Sequence, residues 1–236
     1  MTEGGEAEAL RPWARQVLGH EFADPALCVT ALTHRSAAAS HNERLEFLGD
    51  AVLNCTVAQL LYEAHPKADE GALSRLRASL VSGETLARVA AELQVGEHLR
   101  LGSGELKSGG FRRASILADA LEALIGAVMV DAGFEAAAGT VRRLLGPRLA
   151  ELPPADSLKD AKTRLQELLQ AHALPLPAYN LVSVQGEAHS QVFLVECDVV
   201  ALQLTTRGEG SSRRRAEQFA ADRMLALLPA TFRNRA

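Results

Sequence analysis

The apolar residues of this chain repeat with one period up to about Leu149 and with another beyond it, so the chain cannot be one uniform layer. Leu45, Leu48, Val52 and Leu53 recur at helical spacing, as do Leu73, Leu76 and Leu80, and later Ile116, Ala120, Leu124 and Val128. From Gln191 to Val199 the repeat becomes two: Phe193, Val195, Cys197 and Val199 share one side of a strand, Glu196 and Asp198 the other. Between these regimes Pro147 to Asp156, with Pro153 and Pro154 at its centre, reads as a linker. The expected fold is therefore multidomain. An all-α module over residues 11–150 is followed by a linker over 151–158 and a small α+β module over 159–229, with loose tails at 1–10 and 230–236. In the second module Leu165, Leu168, Leu169 and His172 mark a helix ended by Pro175 and Pro177. Strands are expected near Tyr179–Val184, Gln191–Val199 and Leu202–Thr206, then a helix from about Ser212 to Leu228, giving the order α-β-β-β-α.

Composition bounds the class. With 236 residues, 47% of them hydrophobic and 23% charged, the chain can bury a sizeable core, which excludes disorder and a disulfide scaffold. Cys28, Cys55 and Cys197 are odd in number and show no CxxC or Cys/His zinc spacing; reduced thiols in a cytoplasmic protein are the expectation. The acidic, Gly-rich start lacks the features of a secretory signal. The longest apolar stretch, Ile116 to Val130, contains Asp119 and Glu122 and falls short of the roughly 18 to 20 residues of a bilayer span, so no membrane association is expected.

Acids occur where acids are costly. Glu43, Glu46 and Asp50 fall at i, i+3 and i+7 on one helix face, and Asp119 and Glu122 repeat the i, i+3 placement in the most apolar helix. Burying ionised carboxylates side by side costs several kcal/mol unless a positive charge sits between them. If the two helices pack together, Glu46, Asp50, Asp119 and Glu122 form an all-oxygen cluster suited to Mg²⁺ or Mn²⁺. The alternative sets these acids at the core's edge, in water or paired with Arg44, Arg75, Arg77, Arg112 or Arg113. A di-iron site is disfavoured because no Glu-x-x-His motif occurs, although His34 and His41 lie near the first acidic segment.

Net charge is −4, with 15 Lys and Arg against 20 Asp and Glu over residues 1–152 and 10 against 9 over 153–236, so a nucleic-acid surface must come from local clustering. Ser211-Ser212-Arg213-Arg214-Arg215 is the densest cluster, and Ser212 reads as the N-cap of a helix. Three arginines there oppose the helix dipole, which makes sense if a phosphate arrives to meet them. The stretch Gly102 to Gly110, followed by Arg112 and Arg113, reads as a glycine-rich loop. It lacks the GxxxxGK[ST] spacing, so no nucleotide cofactor is expected.

The run His41-Asn42-Glu43-Arg44-Leu45-Glu46-Phe47-Leu48-Gly49-Asp50 resembles the signature of the ribonuclease III family. Gly104 to Arg113 and Ile116 to Ala123 resemble that family's later blocks. Lys162 to Glu167, Gly186 to His189 and the Ser-Arg helix resemble a double-stranded-RNA-binding domain. The resemblance implies a Mg²⁺-dependent endoribonuclease, with Mn²⁺ able to substitute, that cuts double-stranded RNA as a homodimer. Its products would carry 5′-phosphate and 3′-hydroxyl ends with two-nucleotide 3′ overhangs, and its substrates would include ribosomal-RNA precursors and some messenger RNAs. By position Glu46, Asp50, Asp119 and Glu122 are the implied metal ligands, Asp50 and Glu122 the implied catalytic residues, and Glu43 and Glu70 further acids of the catalytic valley. Thr163, Gln166, Glu167 and His189 are implied to face minor grooves, and Ser212, Arg213, Arg214 and Gln218 phosphates. Three positions depart from the pattern: Glu217 stands where many such domains carry Lys, implying one phosphate contact fewer, and Ala51 and Ala114 replace polar residues beside the metal blocks. The competing class, a non-cleaving RNA-binding relative, usually lacks one or more of the four acids, all of which are present.

Overall fold

The computed structural model describes residues 3–187, 190–229 and Phe232. The chain divides into two compact units, Met1–Asp156 and Ser157–Ala236.

The first unit is helical: α1 (Glu3–Leu18), α2 (Pro25–Ala31), α3 (Glu43–Ala64), α4 (Glu70–Leu80), α5 (Gly83–Glu92), α6 (Val95–His98), α7 (Ser103–Lys107), α8 (Ala114–Ala132) and α9 (Phe134–Leu145). Side-chain caps fix several starts. Asp24 accepts from Ala26 N, Asp69 from Ala72 N and Ser82 from Thr85 N, and Pro25 occupies the first turn of α2, where a missing N–H costs nothing. α8 is the axis of the unit. It is buried from Ile116 to Val128 on nearly every side, with Asp119 and Glu122 the half-buried exceptions, and it packs against α2, α3, α5 and α9.

The most extensive packing joins α3 to α8, and glycine permits it. A Cβ on Gly49 would overlap the carbonyl oxygen of Glu122, and one on Gly126 would overlap that of Leu45. The two helices therefore cross backbone to backbone, each glycine Cα–H facing a carbonyl of the other helix.

Two readings of the first unit change. Helix α1 begins at Glu3, so residues 3–10 are not the loose tail expected from their acidic, Gly-rich composition; Ala7, Ala14 and Leu18 fall at helical spacing and are buried. The glycine-rich stretch is not an open loop, since α7 and a short 3₁₀ turn at Gly110–Arg112 occupy it and Arg113 Nη1 pairs with Glu105 Oε2 at 2.9 Å.

The second unit has the expected order: α10 (Ala161–Ala171), β1 (Ala178–Gln185), β2 (Val192–Val199), β3 (Leu204–Gly210) and α11 (Arg213–Leu227). The strands form one antiparallel sheet in the order β1-β2-β3, with Tyr179 opposite Cys197 and Cys197 opposite Thr206. The alternation in β2 holds: Val195, Cys197 and Val199 enter a core with Leu165, Leu169 and Met224. β3 starts two residues later than expected because Val200–Leu202 form a 3₁₀ turn closed by Gln203 at φ 54°, and it runs four residues further, to Gly210. The tail 230–236 lies outside the described residues apart from Phe232. Among the described residues no helix is long and apolar enough to cross a membrane.

Gly49→Ala forces α3 and α8 apart against backbone that cannot rotate away. We expect a destabilisation of about 3 kcal/mol, the upper end of the usual overpacking cost, read in a denaturant melt; a midpoint equal to that of the wild type would refute the close crossing.

Candidate metal centre and nucleic-acid interface

The α3/α8 crossing carries acids on both sides. Gly49 follows Glu46 by three residues and precedes Asp50, and Gly126 follows Glu122 by four. One carboxylate oxygen from each of Glu46, Asp119 and Glu122 lies within 4.8 Å of the other two. Among the described residues none of the three pairs with Lys or Arg. Arg113 is taken by Glu105, Arg75 donates from Nε to Ala155 O, and Arg112 lies over the Phe111 ring.

Burial and mutual repulsion raise all three. Glu122 is pushed up to about 7, first by burial and then by Asp50, Asp119 and Glu46. Burial also raises Glu46, with Asp119, Glu43 and Asp50 adding to it. Asp119 is raised by burial and partly relieved by His34. A half-buried trio of oxygen donors with no protein cation fits a hard divalent ion.

Asp50 stands beside this group rather than in it. Its side chain is exposed and its Oδ1 accepts from Asn54 Nδ2 at 2.7 Å, while its charge still raises Glu122 and Glu46. Glu43 is held by Arg35 at 3.2 Å, with His41 at 3.9 Å. Glu70 opens α4 and accepts from Ser74 Oγ at 2.7 Å, and the structure does not bring it into the cluster.

In the second unit α10 and the first turn of α11 lie side by side. Gln166 and Glu167 are exposed, Glu167 paired with Lys159 at 2.6 Å, and the half-buried Thr163 donates its backbone N–H to the capping Asp160. Ser212 caps α11 through Arg215 N, and Arg213 and Arg214 are exposed. Gln218 Oε1 accepts from the Lys162 backbone N–H at 3.1 Å, so it fastens α11 to α10. His189 lies outside the described residues.

Residues 24–149 match the family model described as ribonuclease-III-like, and residues 161–228 match that of the double-stranded RNA binding motif. The protein named Ribonuclease 3 from Thiobacillus denitrificans is 60% identical over 214 residues, covering 91% of this chain and 95% of the relative. This chain belongs to the ribonuclease III family. Ribonuclease 3 of Pseudomonas paraeruginosa is 57% identical over 211 residues, covering 89% of this chain and 92% of its own. The crystal structure of the nuclease domain of ribonuclease III from Campylobacter jejuni shares 43% identity at a TM-score of 0.57, covering 60% of this chain and 97% of that one. A second structure of that domain, titled for flexibility in the region involved in its dimer formation, shares 44% identity at the same TM-score.

As a ribonuclease III, the chain is an endoribonuclease of double-stranded RNA with a divalent-metal requirement. The sequence of this family member did not reveal the two glycines or Asn54, and it showed His34 only as a neighbour of the first acidic segment, not its influence on Asp119. A glycine inside each acid-bearing helix was the available sign, since glycine costs a helix about 1 kcal/mol unless something must come close. His34 and Asn54 lie outside the acid pattern and carry no such mark.

Glu122 binds its proton more tightly in the folded chain than in the unfolded one, where the ordinary value of 4.5 applies. Its contribution to stability is therefore complete below about pH 4.5 and lost as pH rises through about 7. In EDTA, the melting temperature of the wild type should fall from pH 5 to pH 8 by more than that of Glu122→Gln, and Mg²⁺ should restore it at pH 8. Parallel pH profiles for the two proteins would contradict the assignment.

Proposed function

We propose that this chain is a Mg²⁺-dependent endoribonuclease, with Mn²⁺ able to substitute, whose metal is held by Glu46, Asp50, Asp119 and Glu122. The observation that carries this reading is the set of three carboxylate oxygens within 4.8 Å at a helix crossing, with no Lys or Arg paired to them among the described residues. When bound, the cation lowers the pKa of water and offsets charge at the departing oxygen, as phosphodiester hydrolysis requires. Glu46, Asp119 and Glu122 bind; Asn54 Nδ2 orients Asp50, which with Glu122 is assigned the catalytic role. Glu43 adds negative charge beside Glu46, and Glu43 and Glu70 are assigned to the edge of the catalytic valley.

Residues 11–150 are assigned to cleavage and 159–229 to RNA binding, joined by 151–158. The second unit grips A-form RNA by shape over about 16 base pairs. Thr163, Gln166, Glu167 and His189 are directed to minor grooves, and Ser212, Arg213 and Arg214 to phosphates. Gln218 is assigned to the same phosphates, from a place where its oxygen accepts from Lys162 N and its N–H₂ meets the Asp160 carboxylate. Products have 5′-phosphate and 3′-hydroxyl ends with two-nucleotide overhangs, and ribosomal-RNA precursors and some messenger RNAs are the substrates. Free thiols at Cys28, Cys55 and Cys197 suit the cytoplasm, the compartment we assign.

A homodimer is supported by the outer face of α3. Phe47, Ala51, Cys55, Ala58 and Tyr62 follow one another at seam spacing, with Phe47 80% and Tyr62 72% exposed. A cavity of about 520 Å³ lined by Leu27, His41, Leu45, Leu48 and Val130 opens in the same unit. A protruding aromatic ring and an apolar cavity on one unit can be self-complementary under two-fold symmetry.

The decisive experiment incubates the chain with an end-labelled RNA duplex, in Mg²⁺ and in EDTA, beside Glu122→Gln. Metal-dependent cutting of both strands should fall in the variant by more than about 100-fold, beyond the loss usual for outer-shell partners of a metal, while duplex binding in EDTA stays unchanged. A duplex shifted but intact under every condition would turn the reading to a non-cleaving RNA-binding protein. Sedimentation should show the wild type as a dimer and Phe47→Asp shifted toward monomer; a monomeric wild type would remove the dimer.

A further inference from the structure

In the RNA-binding unit, the surroundings of Glu217 on α11 are not those of a solvated acid. The side chain is 13% exposed. Its Oε2 accepts from Lys162 Nζ at 2.5 Å and its Oε1 from Arg213 Nε at 3.0 Å, so one carboxylate joins the first turn of α10 to the first turn of α11. Lys162 Nζ also stands over the Tyr179 ring, 4.5 Å from its centroid. Two cations on the side of the domain assigned to RNA are thereby satisfied inside it. By contrast Arg214 makes no hydrogen bond within the described residues, and Arg215 makes only a long one, 3.4 Å, from Nη1 to Ser211 Oγ.

We propose that Glu217 is a built-in counter-anion that competes with the RNA backbone for Lys162 and Arg213 and so sets the affinity of this unit below what its basic helix would give. It is a positioning residue, acting through those two side chains, and the inference rests on the RNA-binding reading of α10 and α11. The physical reason is counterion release. A cation adds to affinity and to its salt dependence when it neutralises a phosphate that had held a counterion. One already paired with a half-buried carboxylate must first leave a charge-assisted hydrogen bond of comparable strength. A weaker grip also favours release of the cut duplex.

The test uses the full chain and a short RNA duplex in EDTA, with affinity measured between about 50 and about 200 mM salt. Glu217→Gln should bind more tightly than the wild type, with a log Kd against log salt slope steeper by about 0.7 to 0.9 for each phosphate gained; one such contact makes the gain about threefold larger at the low end of that range than at the high end. Its single-turnover cleavage rate at saturating enzyme, in Mg²⁺, should equal that of the wild type. Because Glu217→Gln leaves the Lys162 ammonium without its partner, a double variant, Lys162→Met with Glu217→Gln, keeps the net charge of the wild type and frees Arg213 alone. It should also bind more tightly. If the double variant binds as the wild type does or more weakly, the proposal is overturned whether or not Glu217→Gln folds, because a merely structural carboxylate gives lower stability and no gain in affinity. Arg214→Ala, outside the triad, separates the two ideas. It should weaken binding if α11 faces RNA, and an unchanged affinity there overturns the RNA-facing assignment of α11 together with this inference.

Discussion

The constraint on which the nuclease unit depends is a contact between main chains. Gly49 against the carbonyl of Glu122, and Gly126 against that of Leu45, fix the distance between α3 and α8 by hard-sphere limits rather than by side chains that can repack. The acids are tied to this contact by sequence. Glu122 is both a carboxylate of the cluster and the residue whose carbonyl meets Gly49, and Glu46 is the neighbour of Leu45, whose carbonyl meets Gly126. A metal site tolerates errors of only a few tenths of an ångström in its donors. Setting the donors on residues that themselves make the crossing leaves little room for such errors.

The same placement makes the unit locally unfavourable to itself. α8 is apolar enough to serve as the central helix, yet its buried stretch carries Asp119 and Glu122, and Glu46 joins them from α3 with no Lys or Arg among the described residues paired to the three. Burial and repulsion lift Glu122 to about 7, close to neutrality, which means the metal-free chain holds a site that is partly protonated under ordinary conditions. Elsewhere in the unit the opposite rule holds. Asp131, at the end of α8, accepts from Ala23 and Asp24 backbone N–H groups and from His20 at 2.7 Å. Two buried or half-buried acids on one helix thus differ in kind: Asp131 is fully satisfied by protein, Glu122 is left for something else.

The sequence made the architecture legible because both periodicities are strong. The helical repeat of Ile116 to Val128 and the alternation of Val195, Cys197 and Val199 each reappear as burial. The acid cluster was legible for the same reason, since an acid breaks an apolar face visibly. What stayed hidden depends on main-chain geometry or on distant partners. The start of α1 was obscured by glycine and acid near its first turn, although Ala7, Ala14 and Leu18 carry the period. The end of β3 was obscured by Gly208 and Gly210, which read as turn residues but lie in the strand because α11 passes over them with Ala216 and Ala220; a Cβ on Gly208 would overlap both. Asp50 was grouped with the other acids by spacing and by the family resemblance. One turn beyond Glu46 it reaches the exposed side of α3, where Asn54 holds it.

Charge in the second unit shows why totals say little about nucleic-acid binding. Ten cations against eight acids over residues 157–236 is nearly neutral, but the balance is not smeared out. Glu167 meets Lys159, Glu196 meets Arg207 and Glu217 meets Lys162 and Arg213, so three of the acids are already committed to cations within the fold. Each such pair contributes little to stability where it is exposed, yet each removes a cation from the field that an RNA meets. At the first turn of α11, Arg214 is exposed and makes no hydrogen bond among the described residues, beside a helix N-terminus capped by Ser212. A duplex recognised by shape needs its phosphates met at the right spacing, and a surplus elsewhere on the domain would bind RNA without positioning it. Internal pairing thus acts as a filter on where the domain is positive, and a near-neutral sequence composition is the outcome to be expected of a surface that must hold a duplex in one register relative to its own helices.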